Sequence, residues 1–166
     1  MVALLTVVLA LSSACTNVSA VPAPSPRVRD AIVVAPSAAA DEIVVRTNAE
    51  RARLGLPALA RNAALMSAAQ LQANQMAALN SMAHECPGAA YPTMDARLDA
   101  VGYRRGAAGE NVAEGYPSAL AVVTGWMKSP GHRENIVDTR FSEMGAGVAP
   151  GRNGRLYYVQ VFAHPR

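Results

Sequence analysis

Residues 144–162 read MGAGVAPGRNGRLYYVQVF. Met144, Ala146 and Val148 alternate with small residues, Pro150 to Gly154 form a cluster of turn-forming residues, and Leu156 to Phe162 alternate again through β-branched and aromatic side chains. That period of two, broken once by Pro, Gly and Asn, predicts a β-hairpin. Tyr157 and Tyr158 then point to opposite faces, one into the core and its neighbour outward. A lone hairpin is marginal in water, so the rest of the chain has to supply elements that cover it.

Upstream the period changes to that of helices. Ser37 reads as an N-cap, with Asp41 and Glu42 early in the helix and Gly55 as a left-handed stop after Leu54. Ile43, Thr47, Arg51 and Leu54 share a face, and Glu50 with Arg51 reads as a structural pair. A second helix opens at Asn62 and carries Leu65, Ala69, Gln72, Met76 and Leu79 on one side, ending near Asn80; its many alanines permit close approach to a neighbour. A third fits Thr93 to Val101, stopped by Gly102, and a fourth fits Ser118 to Met127 with Val122, Val123 and Trp126 inward. Gly102 to Gly109 reads as a loop that delivers Glu110, and Pro130-Gly131 breaks the chain just before His132. Helices followed by antiparallel strands define the class as α+β.

The start of the chain has a different character. No side chain is charged before Arg27, and the apolar run from Met1 to Leu11 is shorter than the roughly 20 residues of a spanning helix. Residues 1–20 therefore read as an export signal. Val18-Ser19-Ala20 suits a signal peptidase, whereas Leu11-Ser12-Ser13-Ala14-Cys15 resembles a lipobox that would lipidate Cys15. Residues 21–37, rich in Pro and Ala, read as a linker, and residues 38–166 as one folded domain. With only two cysteines, loss or lipidation of Cys15 leaves Cys86 unpartnered, so packing has to hold the fold and Cys86 reads as a partly buried, inert thiol.

A formal charge of +3 with scattered Lys and Arg gives no nucleic-acid footprint. The sequence has no Gly-x-Ser-x-Gly elbow, His-Glu-x-x-His pair, phosphate loop or Cys-x-x-Cys, which disfavours a conventional hydrolase or nucleotide enzyme.

Several short motifs, in order, resemble one family. They are Asn48-Ala49-Glu50-Arg51 with Gly55-Leu56 and Leu59, then Met82-Ala83-His84, then Gly109-Glu110-Asn111-Val112-Ala113, then Trp126 to Ile136 with Ser129-Pro130-Gly131-His132-Arg133-Glu134-Asn135 at its centre, then Gly145-Ala146-Gly147-Val148. Together they resemble the bacterial, SCP-like branch of the CAP superfamily, relatives of cysteine-rich secretory proteins, antigen five and pathogenesis-related class one proteins. The resemblance implies a three-layer α-β-α sandwich with a small antiparallel sheet between helices.

It also implies that His84, Glu110 and His132 meet around a cleft. Two imidazoles and a carboxylate are a reasonable donor set for zinc or another divalent cation, and also for proton transfer. Animal and plant relatives complete a tetrad with a second glutamate that no motif residue supplies here; Glu85, Glu114 and Glu134 are the candidates.

The same residues have structural readings. Glu110 can fix a turn, Asn111 more so; His132 can cap a helix start; Arg133 and Asn135 read as loop-holding hydrogen-bonders, and His164 as a solvated tail residue. The resemblance favours a monomeric, secreted or envelope-anchored, non-enzymatic binding module for a lipid or protein ligand, without a membrane span in the mature protein. The alternatives are a metal-dependent hydrolase at the cell envelope and a structural or adhesive envelope protein.

Overall fold

A computed structural model describes residues 35–166. The stretch read as an export signal, with Cys15, and the stretch read as a linker as far as residue 34 lie outside the described residues. The domain begins with α1, Pro36–Arg53, so the last two residues assigned to the linker are already helical. Ser37 is not its cap: Ala35 holds that place, and Pro36 follows at the first helical position, where a fixed φ and a missing N–H cost nothing. Gly55 follows with φ +71°, as the left-handed stop requires.

The remaining elements are β1 (Ala60–Arg61), α2 (Ala63–Leu79), α3 (Met94–Ala100), β2 (Arg105–Glu114), α4 (Ala119–Lys128), α5 (Pro130–Val137), β3 (Glu143–Pro150) and β4 (Leu156–Pro165). The polar starts read from sequence are real caps. Asn62 accepts from the backbone of Ala64 and Leu65, Thr93 from Ala96 and Ser118 from Ala121. Asn80 ends α2 in the left-handed region, at φ 50°. Leu54 and Leu79, both placed on inward faces from their spacing, are exposed because each lies at a helix end beyond the sheet.

The sheet order is β1-β3-β4-β2. β4 pairs antiparallel with β3 on one side and β2 on the other, and the two-residue β1 adds a parallel pair to β3, making the sheet mixed. β2 is the principal correction to the sequence reading. The stretch Gly102 to Gly109 is not all loop: from Arg105 it is strand, and Glu110 sits inside it, opposite Val161. Its partner β4 supplies the hydrogen bonds that glycine-rich composition hides. Gly109 serves a close approach there, since a Cβ would lie 2.8 Å from Asn135 Oδ1 and 3.0 Å from Phe141 Cζ.

Helices cover both faces. On one, α1, α4 and α5 bury Ile43, Val122, Trp126 and Ile136 against Met144, Val148, Tyr158 and Phe162; on the other, α2 and α3 bury Leu65, Met76 and Leu98 against Tyr157, Val159 and Val161. Alternate residues of β4 thus feed two different cores, and Tyr157 and Tyr158 are both buried, neither facing solvent. The α-β-α sandwich follows. α2 lies close on β3 because Gly145 and Gly147 leave no side chain there: a Cβ at either would run into the helix backbone at Leu65, Met66 or Ala69.

Arg51 pairs with no acid on α1. Glu50 meets Arg53 instead, at 3.1 Å, while the Arg51 guanidinium is buried and donates to the carbonyls of Pro57, Ile136 and Asp138. It ties α1 to the C-terminus of α5, where carbonyls lack helical partners.

Candidate functional site: a histidine–glutamate–arginine cluster at the edge strand

The loop between α2 and α3 carries His84. Its carbonyl accepts from Gln72 Nε2 at 3.2 Å and from Arg97 Nη2 at 3.4 Å, so buried side chains of α2 and α3 hold the loop in place. Gln72 also donates to the Ala83 carbonyl at 2.5 Å and touches Cys86, which is buried; burial pushes the Cys86 thiol pKa up, as suits an inert thiol.

His84 Nδ1 lies 3.0 Å from Glu110 Oε1. The other carboxylate oxygen, Oε2, accepts from Arg97 Nη2 at 2.7 Å. Arg97 and Glu110 are both buried, while the His84 side chain is 59% exposed. The hydrogen bond to Glu110 raises the His84 pKa above its ordinary value, against opposing burial and the Arg97 charge.

His132 belongs to the opposite layer. It is the third residue of α5, and its Nδ1 lies 2.8 Å from Oγ of Ser129, the residue that begins the helix. The contact is between side chains, and Ser129 Oγ caps no backbone amide of α5. Its carbonyl accepts from Asn111 Nδ2 at 3.0 Å. Burial, then the field of nearby His84, lowers the His132 pKa.

Asn111 is the centre of a buried polar network. Its amide also donates to Gln160 Oε1 at 3.0 Å, its oxygen accepts from Asn135 Nδ2 at 2.9 Å, and Asn135 donates further to the Glu110 carbonyl at 3.2 Å. Gln160 in turn donates to Thr47 of α1 at 2.6 Å. Asn111 and Asn135 therefore hold the loop and helix as their structural reading requires. Arg133 does not: it is exposed, and its guanidinium makes no hydrogen bond to the described residues. His164 is exposed and meets only Ser142 Oγ, at 2.9 Å.

The structure thus joins His84 to Glu110 directly and brings His132 close enough for the His84 charge to act on it. Among the described residues no three His, Cys, Asp or Glu side chains gather into a group able to hold a metal ion. Both Glu110 oxygens are engaged, Oε1 by His84 and Oε2 by the buried Arg97 guanidinium, and each imidazole is held through its Nδ1. Arg97 is the site residue that the sequence reading missed. Its signal was present: Met94, Arg97, Leu98 and Val101 follow helical spacing, so an arginine stands on an otherwise apolar face.

Beside His132 a cavity of about 330 Å³ opens between α4, α5 and β2, lined by Met82, Val112, Ala113, Glu114, Tyr116, Gly125, Trp126, Ser129 and His132. Its volume falls at the lower end of the roughly 300–1,000 Å³ of small-ligand pockets. Trp126, buried in the lining, donates its indole N–H to the Val112 carbonyl at 3.3 Å.

Comparison with known proteins bears on the same stretch. The family described as CAP, the cysteine-rich secretory protein family, matches residues 44–162. YkwD of Bacillus subtilis (strain 168) is 34% identical over 111 residues, which are 67% of this chain and 42% of YkwD. An extracellular protein containing an SCP domain from Bacillus anthracis str. Ames superposes with TM-score 0.71 at 29% identity, covering 78% of this chain and 41% of that one. An outer surface protein of Borrelia burgdorferi shares the fold, with TM-score 0.68 at 20% identity over 76% of this chain and 92% of its own. The chain thus spans less than half the length of the first two relatives. With the sandwich, the motif order and the matched region in agreement, the chain belongs to the CAP, or cysteine-rich secretory protein, family, in its bacterial SCP type.

Proposed function

We propose that this protein works outside the cytoplasm as a non-enzymatic binding module, and that the cavity beside His132 receives the apolar part of a lipid or protein ligand. The observation that carries the reading is the pairing of that cavity with an immobilised carboxylate. Glu110 is held between Arg97 and His84, so it is poorly placed to take a proton from water, as a hydrolase would require. Met82, Tyr116 and Trp126 offer apolar surface, with Met82 half-exposed at the mouth. An extracytoplasmic location is supported by the uncharged apolar start of the sequence and by the extracellular protein of Bacillus anthracis that shares the fold. No helix among the described residues is long and apolar enough to cross a membrane.

A fluorescent long-chain fatty acid titrated into the full chain tests the reading. Saturable binding is expected, weakened about tenfold or more by Met82→Asp, since burying one methionine is worth roughly 1.5–3 kcal/mol. No saturation with the natural sequence, or equal affinity in the variant, refutes it.

A further inference from the structure

We propose that Tyr116 is the specificity-determining residue of the cavity beside His132: seated on Gly125, its ring leaves room for one unbranched acyl chain and excludes branched or ringed apolar groups. The inference rests on the reading of that cavity as the place where the apolar part of a ligand is received.

Three side chains in the lining are large and apolar, and they differ in freedom. Trp126 is 2% exposed and held by its indole bond to the Val112 carbonyl, so it belongs to the fixed wall. Met82, at the mouth, is 48% exposed and unbranched, a side chain that adapts to whatever lies against it. Tyr116 is a rigid ring, partly buried, that lines the same space. The width of the cavity therefore follows from where that ring lies.

Its place is set from two sides. The backbone is fixed: Gly115 turns through φ +77° and donates to the Leu156 carbonyl at 2.9 Å, Tyr158 Oη donates to the Tyr116 carbonyl at 2.7 Å, and Ser118 caps α4 two residues on. The side chain rests on α4: a Cβ on Gly125 would overlap the Tyr116 hydroxyl and lie 2.7 Å from Cζ and 2.8 Å from Cε1. Glycine inside a helix is less stable than alanine, and Gly125 has no positive φ that requires it. The close approach of the phenol is what it serves. Because both residues line the cavity, the bare helix surface at Gly125 lets the ring lie against the wall rather than across the space. At about 330 Å³ the cavity has little room to lose, and a methyl at Gly125 would drive the ring off the helix and into it.

The test uses Trp126, the single tryptophan of the chain, whose fluorescence is quenched by a heavy atom brought into the cavity. The full chain is titrated with an ω-bromo straight-chain fatty acid, which is then displaced by unlabelled straight and methyl-branched acids of equal carbon number. The natural sequence is expected to show saturable quenching, reversed by the straight acid at a concentration at least about tenfold lower than by the branched one. Tyr116→Ala is expected to take both acids within about twofold of each other. Gly125→Ala is expected to bind about tenfold or more weakly, and Gly125→Ala/Tyr116→Ala to bind as Tyr116→Ala does, because the displaced ring is gone. Circular dichroism melts show that each variant is folded; if Gly125→Ala is not, the loss of selectivity in Tyr116→Ala decides. No saturable quenching with the natural sequence overturns the acyl reading and this inference with it. Saturable binding without preference for the straight acid, a preference kept in Tyr116→Ala, or natural affinity in a folded Gly125→Ala overturns this inference alone and leaves the acyl reading standing.

Discussion

Replacing Asn111 by alanine should be among the most damaging single changes on the sheet, although Asn111 is a polar residue that the sequence alone places in a loop. The substitution removes three hydrogen bonds, at 3.0, 3.0 and 2.9 Å, to the His132 carbonyl, Gln160 Oε1 and Asn135 Nδ2. Each group left behind is orphaned differently. Gln160 is wholly buried and keeps only its bond to Thr47, so its oxygen carries close to the full desolvation cost. His132 and Asn135 are only partly buried, and Asn135 keeps the Glu110 carbonyl, so these cost less. At about 1–3 kcal/mol per orphaned group, with two at the low end, the loss comes to about 3–5 kcal/mol. For a domain of this size that corresponds to a fall of roughly 10–20 °C in the melting temperature. Differential scanning calorimetry and urea titration measure it. Gln160→Leu added to Asn111→Ala should recover about 1–2 kcal/mol, because removing both partners leaves fewer unpaired atoms. A loss below about 1 kcal/mol in the single variant, or no recovery in the double one, would refute the network as the element that fixes α5 to the sheet.

Two further outcomes follow from the geometry. The two cleft imidazoles should make stability peak near the ordinary histidine pKa of about 6.5. His84, with its folded pKa raised, stabilises fully below that value and loses its contribution as pH rises through the folded pKa. His132, with its folded pKa lowered, resists protonation, so its contribution holds above that value and falls away as pH drops toward the folded pKa. Urea midpoints across pH should lose the alkaline slope in His84→Gln and the acid slope in His132→Gln, and unchanged profiles would contradict both assignments. Gly147→Ala should cost at least about 2 kcal/mol by driving a methyl into the α2 backbone, whereas Gly131→Ala, with open space around it, should cost less than about 1 kcal/mol. Equal urea midpoints for the two would show that α2 can retreat from β3.

What the sequence reveals depends on where each residue's partners lie. The hairpin was legible because alternation from Met144 to Phe162 is a local record of which side chains are buried. The caps at Asn62, Thr93 and Ser118 were legible because each bonds a backbone amide two or three residues away. β2 was not, because Gly106 and Gly109 lower local strand preference while the compensating ladder comes from β4, some 50 residues later in the chain. Tyr158 was misread for a similar reason: one amphipathic strand implies one wet face, and only the arrival of α1 and α4 turns that face into a second core. The site divides the same way. Motifs bring His84, Glu110 and His132 into view, but the residue that sets their chemistry lies on α3, where its helical spacing marks it as inward and nothing local says that the side chain it meets is Glu110.

The position of β2 at the sheet edge lets one strand serve both helix layers. Successive strand residues face opposite ways, so the adjacent pair Glu110-Asn111 serves both layers at once. The Glu110 side chain turns toward α3 and the His84 loop; the Asn111 side chain turns toward α5 and the His132 carbonyl. Asn135 closes the circuit by bonding the backbone of the first and the side chain of the second. At the edge, nothing beyond β2 blocks the approach of the α2–α3 loop to the start of α5. The electrostatic coupling between His84 and His132 is therefore a consequence of strand order, and lengthening the loop that carries His84 would weaken it without altering any of the three side chains.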